Sequence, residues 1–382
     1  MSGFGLKRVK ASPIALDFGA GALKAMQVVP GSAVRLVDAA ILETPAELLD
    51  DPMARLAFQF EHLPDLLKGR EFIGKRASCS VSASQTLVQH VQTPVDGGDS
   101  AKASIEAVAN SLGCAASQLV ARSLDVTTVV RGSQKRRESV CLAIPRAVVD
   151  RYMSALRDAK LKPVGIHAEH IATVHAFDHM NRRDGDENIT HLYLDLGATT
   201  TKIMIAHGKA LVLAKTLDLS ARPAVGPAVH KAPKGIVEAV LVEMSAPDET
   251  GEFAMGLASA SEERRDAATP PGITELVTDV RASGGHHDRV LDELIDEVRT
   301  AVRYHSALFP GREIDHLIFL GGCSSDVSIC QRVAQALHLP AQLADPLASI
   351  VRQPGAHLPM DCSSPLPGWA LAFGLTQAPC ED

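Results

Sequence analysis

Short apolar runs, cut by glycine and proline, alternate along this chain with longer stretches of helical period. Residues 14–42 hold three apolar runs divided by Gly19–Gly21 and by Pro30-Gly31-Ser32, which predicts strand, turn, strand, turn, strand. Residues 191–220 repeat the pattern, with a glycine turn after Leu196 and a second turn at His207-Gly208-Lys209. Pro45 to Arg70 reads as helix with interruptions at Pro52 and Pro64. Ala77 to Val91 alternates and predicts a pair of strands.

Residues 92–140 read as a small inserted α+β module: an amphipathic helix over Ser100–Leu112, a strand over Leu124–Val130, the basic turn Arg131–Glu138, and a returning strand over Ser139–Ile144. The basic turn is expected to be a solvated hairpin tip. Helix is predicted for Pro145–Lys160, ended by Pro163, and for His170–Asn181 after a short strand from Val164. Leu291, Leu294, Ile295, Val298 and Val302 lie at helical spacing within Val290–Phe309. A strand over Leu317–Leu320 then meets Gly321-Gly322 and a helix over Ile329–Leu337, with Ser324, Ser325 or Asp326 as N-cap. A strand follows at Pro340–Leu343. The small-residue helix in Pro367–Leu375 is expected to pack back on the first half.

At 382 residues, with 46% apolar and 22% charged side chains, the chain can bury a large core and is expected to form two α/β domains. The polar stretch Asn181–Glu187 marks the boundary. Domain I is residues 1–190 with the module at about 92–140, completed by a C-terminal helix in 367–382. Domain II is 191–366 with a divergent segment at about 221–287, rich in proline and then in alanine, serine and glutamate.

The two halves share a chemical motif as well as a strand pattern. Asp17, Gly19, Ala20 and Lys24 match Asp195, Gly197, Ala198 and Lys202 in the form Asp-x-Gly-Ala-x-x-x-Lys, 178 residues apart. An aspartate at a strand end can reach a metal ion or its waters, and a glycine lets the backbone approach a ligand. Thr199, Thr200 and Thr201 add hydroxyls and N–H groups suited to phosphate oxygens. A cleft bordered by two such turns would hold a magnesium-bound nucleotide, because Mg²⁺ keeps several waters and needs only one or two carboxylates. Gly321-Gly322 before a helix start is a third anion- or nucleoside-facing turn. His167, His170 and His175 do not share a helix face at metal spacing and are expected to be partly buried histidines. His286-His287 is read as a solvated helix start.

Charge narrows the partners. A net charge of −7 argues against nucleic acid, and 4% aromatic residues argue against a base-stacking platform. No apolar run reaches the length of a membrane span, and the N-terminal apolar stretch is already the first strand rather than a signal peptide. Seven scattered cysteines without a C-x-x-C pair suit free thiols in a reducing cytoplasm.

Asp-x-Gly, then Asp-x-Gly-x-Thr-Thr, then strand-Gly-Gly resembles the two phosphate motifs and the adenosine motif of the actin, sugar-kinase and heat-shock ATPase superfamily. Within it the sequence is similar to the PilM family of type IV pilus assembly proteins, related to FtsA. That likeness is carried by FGLKR, LDFGAGALKAMQV, the inserted module, CLAIPRAVVDRYMSALRDAKLKPVGIHAEHIATVHAF, ELIDEVRTAVRYHSALFPGREIDHLIFLGGCSS and PLPGWALAFGL. The resemblance implies an actin-like ATPase fold, two RNase H-like domains around a nucleotide cleft, with the module in place of the usual actin insertion. It implies ATP with Mg²⁺ as cofactors. Asp17 and Asp195 would hold the metal through water. Gly19, Ala20 and Gly21, then Gly197, Ala198, Thr199, Thr200 and Thr201, would embrace the phosphates near Lys24 and Lys202. Gly321 and Gly322 would face the adenosine, and Glu169 would orient an attacking water. The module would receive the N-terminal tail of a PilN-like inner-membrane protein, placing a cytoplasmic scaffold at the inner membrane of a pilus or related secretion machine, with self-association possible in principle.

Two departures bear on activity. Ala20-Gly21-Ala22 stands where relatives carry small hydroxyl residues, removing hydrogen bonds worth roughly 0.5–1.5 kcal/mol each. The Gly-Gly…Thr element that relatives place after the second phosphate strands is absent from 218–233. The reading is therefore weak ATP binding and at most slow hydrolysis. The alternatives are a nucleotide-free docking platform of the same fold or, with no clear catalytic aspartate, a small-metabolite kinase.

Overall fold

The computed structural model describes residues 10–31, 33–95, 98–181, 183–220, 273–275, 286–348, 350–352 and 364–380. FGLKR, residues 221–272 and the turn at 283–285 lie outside them. The chain begins with β1 (Ile14–Phe18), β2 (Ala22–Val29), β3 (Arg35–Glu43), α1 (Pro52–Leu67) and β4 (Arg76–Val81). It then leaves through β5 (Leu87–Pro94), α2 (Ser100–Ser111), β6 (Leu119–Arg131) and β7 (Gln134–Pro145). It returns with α3 (Arg146–Asp158), β8 (Lys162–Ala168) and the short α4 (Glu169–His175). The second half runs β9 (Thr190–Leu196), β10 (Thr201–His207), β11 (Ala210–Leu217), β12 (Ile273–Glu275), α5 (His286–Leu308), β13 (His316–Leu320), α6 (Val327–Leu337) and β14 (Ala341–Ala344). β15 (Val351–Arg352) and α7 (Ala370–Gln377) close the chain.

The internal repeat of the sequence is an internal repeat of topology. One sheet has the order β15-β3-β2-β1-β4-β8 and the other β11-β10-β9-β13-β14-β12. In each, an antiparallel three-strand meander continues into parallel strands on the side of its first strand. β1, β9 and β10 are buried along their whole length, which is why their sequences run apolar instead of alternating. A third sheet, β5-β7-β6, carries α2 and a small core of Val91, Val108, Leu119 and Cys141. One larger cluster joins all three sheets, running from Met26 and Leu36 through Val140 and Leu142 to Tyr193 and Met204.

The C-terminal segment crosses back to the first sheet. β15 pairs with β3, and α7 lies against α4 and β1. A Cβ added at Gly374 would lie 1.8 Å from the Ala172 carbonyl oxygen, so the crossing of α4 and α7 requires glycine.

Several boundaries differ from the sequence reading. Pro52 opens α1 instead of interrupting it, because Asp51 caps Met53 and Ala54 and proline suits the first helical position. Pro64 stays inside the same helix. The alternating run 77–91 does make two strands, but they do not pair with each other. β4 is an inner strand of the first sheet, and β5 belongs to the inserted one. The module thus spans β5 to β7, since β7 is long enough to pair with β5 on one side and β6 on the other. Its basic stretch is a hairpin tip with Gly132 at φ +58°. α4 stops at His175, where His175 Nδ1 meets Asp178 Oδ2 at 2.9 Å and the chain continues in turns.

Candidate functional site

Both hairpins set aspartate and lysine directly across from one another. Asp17 pairs in register with Lys24 between β1 and β2, and Asp195 with Lys202 between β9 and β10. The lysines are therefore strand residues. Side chains opposite each other on a sheet share a face, so each lysine points to its own aspartate.

The two pairs then diverge. Lys24 Nζ donates to the Gly368 carbonyl at 2.7 Å, stays 3.4 Å from Asp17 Oδ2, and lies 5.9 Å from the Trp369 ring centre. Asp17 Oδ1 is buried and, among the described residues, has no hydrogen-bond partner. Lys202 Nζ instead bridges Glu169 Oε2 at 2.6 Å and Asp195 Oδ2 at 2.8 Å. Lys202, Glu169 and Asp195 are all buried. Glu169 opens α4, directly after β8 of the first sheet, so one ammonium ties the two sheets together.

Burial and charge oppose each other here. Burial alone would lower the Lys202 pKa, but Asp195 and Glu169 outweigh it and hold the ammonium above the ordinary lysine range. Burial raises the Glu169 pKa despite the opposing Lys202, and the nearby Asp17 and Asp195 add to the rise. His170, next in sequence, is pushed down to about 3 by burial and by Lys202, and shares a 2.9 Å hydrogen bond with Thr216.

The glycine turns are tightly built. Gly197 N–H donates to the Thr200 carbonyl at 3.0 Å, and a Cβ at Gly197 would stand 2.5 Å from that oxygen. A Cβ at Gly21 would lie 3.9 Å from the Ala198 Cβ, so the two turns meet. Their carbonyls are already engaged: Gln59 donates to Gly19 at 2.8 Å and Ser220 to Ala198 at 2.7 Å. Ala20, Thr199 and Thr200 are half-buried at the turns. Thr201 is buried in β10 and gives its hydroxyl to the Leu219 carbonyl at 2.9 Å, away from the turn.

The third turn links β13 to α6 through a short intervening element. Gly321 adopts φ +84°, and a Cβ there would lie 2.4 Å from both Asp195 Oδ1 and the Leu196 carbonyl oxygen. Gly322 starts a 3₁₀ turn over Gly322–Ser325, so the pair does not feed α6 directly, and Asp326 is the N-cap. Gly368 covers Gly322 so closely that a Cβ on Gly368 would come 3.4 Å from the Gly322 Cα. Gly321 and Gly322 thus contact Asp195 and the Pro367–Trp369 turn.

The site also includes residues that sequence spacing did not single out: Gln59, Ser220, Gly368 and Trp369. Only Gly368 and Trp369 carried a signal, the tight Pro-Gly-Trp turn before α7. His167, His170 and His175 are dispersed over β8 and α4. A surface cavity of about 590 Å³ lies elsewhere, between α1 and α3, lined by Phe60, Pro64, Arg151 and Asp158.

Direct ligation of magnesium by the Asp195 carboxylate does not fit these residues. Oδ2 already accepts the Lys202 ammonium, and Oδ1 abuts Gly321. Asp17 Oδ1, without a hydrogen-bond partner among the described residues, is an acceptor left open.

Comparison with solved structures gives the same architecture. A chain of the PilM–PilN type IV pilus biogenesis complex superposes with a TM-score of 0.65 at 17% identity, covering 96% of this chain and 97% of that one. This chain shares the fold of that chain of the PilM–PilN complex. A Bacteroides thetaiotaomicron protein with an actin-like ATPase fold matches at TM-score 0.45 and 9% identity over 90% and 95% of the two chains. The cytoplasmic domain of EpsL, from the type II secretion system of Vibrio cholerae, matches at 0.33 and 6% over 55% and 71%. No protein-family model matches the sequence, and no curated protein matches it. Among the described residues, no helix is long and apolar enough to cross a membrane.

Proposed function

We propose that this chain is a PilM-like scaffold of a type IV pilus or related secretion machine, docking the N-terminal tail of a PilN-like inner-membrane protein from the cytoplasmic side. The observation that carries the reading is the near-complete mutual coverage with a chain of the PilM–PilN complex. The two sheets with their shared strand order are the two domains of this reading, divided near Asn181–Glu187.

In this reading ATP enters weakly. Lys24 and the backbone of the Gly19–Gly21 and Gly197–Thr200 turns are its phosphate contacts, and the turns must part at Gly21 and Ala198 to admit it. Glu169, bonded to Lys202, balances charge and is poorly placed to activate water. Hydrolysis is correspondingly slow or absent.

The test is co-elution with the PilN-like protein of the same organism, paired with a titration of its labelled N-terminal peptide. A one-to-one complex and saturable peptide binding are expected, and neither appearing overturns the scaffold. A second reading, a platform that never loads nucleotide, is favoured by the contact of the two turns. Calorimetry with ATP separates the two: heat that saturates supports the ATP-binding scaffold, and none up to millimolar ATP supports the platform.

A further inference from the structure

We propose that the Lys202 ammonium is a tethered cation standing in for a divalent metal ion between Asp195 and Glu169, closing the cleft between the two sheets without metal. This deepens the actin-fold cleft described above and rests on it. Asp195 sits at the end of β9 in one sheet, and Glu169 follows β8 of the other. A single Nζ at 2.8 and 2.6 Å from their oxygens performs the joining that a metal ion would perform. Divalent ions need the same carboxylate oxygens at roughly 2.0–2.6 Å, so lysine and metal exclude one another there.

The internal repeat supplies an independent comparison. Lys24 occupies the equivalent register position, yet it turns to the Gly368 carbonyl and leaves Asp17 Oδ1 without a partner among the described residues. The equivalent strand position therefore does not by itself place an ammonium between carboxylates. Glu169 provides the second acceptor that draws Lys202 fully inward. Without Lys202, two buried carboxylates would face each other with no counter-ion, a pair that either takes up a proton or recruits a cation.

Manganese is the probe. The full chain, without nucleotide, is titrated with Mn²⁺ at pH 7.5 and free Mn²⁺ is read by electron paramagnetic resonance. The wild type should show no Mn²⁺ site that Asp195→Asn removes. Lys202→Gln should bind one Mn²⁺ at least tenfold tighter than wild type, and adding Asp195→Asn should abolish that gain. A wild-type site that Asp195→Asn removes overturns the proposal, as does a folded Lys202→Gln that gains nothing. If Lys202→Gln is too unstable to titrate, its melting temperature is measured with and without Mn²⁺. A rise confined to the variant supports the proposal, and a melt indifferent to Mn²⁺ overturns it. ATP is absent throughout, so failure to bind nucleotide and failure of the tethered cation are read separately.

Discussion

The Tyr304 hydroxyl donates a 2.6 Å hydrogen bond to Glu138 Oε1, joining helix α5 of the second half to strand β7 of the inserted sheet. His90 Nδ1 reaches the same oxygen at 3.2 Å, and its ring meets Tyr304 edge-on at 5.2 Å. Glu138 is fully buried. Burial would raise its pKa, but the hydrogen bonds from His90 and Tyr304 outweigh that and hold the carboxyl below its ordinary range. This joint links the proposed partner-binding module to the half that carries Asp195. Replacing Tyr304 by Phe removes one donor from a buried carboxylate, which should cost about 1–3 kcal/mol. The denaturation midpoint should fall and hydrogen-exchange protection should drop in β5 and β7. A midpoint equal to wild type, with unchanged exchange, would show that the joint carries no coupling.

The repeat was legible because its parts are short-range. Asp-x-Gly-Ala-x-x-x-Lys at two places encodes a strand, a turn and a returning strand, and local chemistry is enough to read that. The partners of the lysines were not legible. Lys24 finds Gly368 from the far end of the chain, and Lys202 finds Glu169 across the two sheets. Such choices depend on how whole sheets pack, which no spacing reports. The same limit explains Gly321, whose glycine requirement comes from Asp195 and Leu196 pressing on it. The 77–91 run misled for a different reason: alternation marks strands but not the sheet each strand joins.

Stability should fall steeply on mild acidification. Burial pushes His167, His191, His207 and His305 down to about 4, and His170 to about 3. His207 and His305 share a 2.8 Å Nε2–Nε2 hydrogen bond, and Arg312 opposes charge on both. A histidine neutral in the folded chain and free to protonate when unfolded leaves stability unaffected well above its unfolded pKa, near 6.5. Below that, the unfolded state binds more protons, so stability drops by up to about 1.4 kcal/mol per pH unit for each such histidine until the folded pKa is reached. Urea unfolding at pH 7, 6 and 5 should show a slope of several protons between 6 and 5. A flat profile over that interval would contradict the burial of these rings.

Gly321 and Gly322 should respond very differently to alanine. At Gly321, φ is +84° and the new Cβ would press on Asp195 Oδ1 and the Leu196 carbonyl, whereas at Gly322 no atom of the described residues lies within 4 Å of the added carbon. Backbone strain and overpacking together put Gly321→Ala at about 2–4 kcal/mol of lost stability. Gly322→Ala should lose less than about 1 kcal/mol, the ordinary range for an uncrowded site. Thermal melts of both variants check this. Equal losses would mean that the pair acts through something other than the packing on Asp195.

The two lysines of the repeat should likewise part company when each is replaced by Met. Lys24→Met gives up a hydrogen bond to Gly368 and a long contact with Asp17, a loss of about 1–3 kcal/mol. Lys202→Met strands Glu169 and Asp195 as buried like charges, which for a broken buried pair is about 3–5 kcal/mol. The variants also differ in the sign of their pH response relative to wild type. Without Lys202, the pKa of at least one of the two carboxyls must rise above its unfolded value, so the folded chain takes up a proton that the unfolded chain does not hold at neutral pH. The deficit of Lys202→Met against wild type should therefore shrink as pH falls from 7 toward 5, while that of Lys24→Met stays nearly constant. Denaturant unfolding of the three proteins side by side measures both deficits, with the wild-type histidine slope cancelling in the difference. A Lys202→Met deficit that is small, or that grows on acidification, would mean that Glu169 and Asp195 do not depend on the ammonium between them.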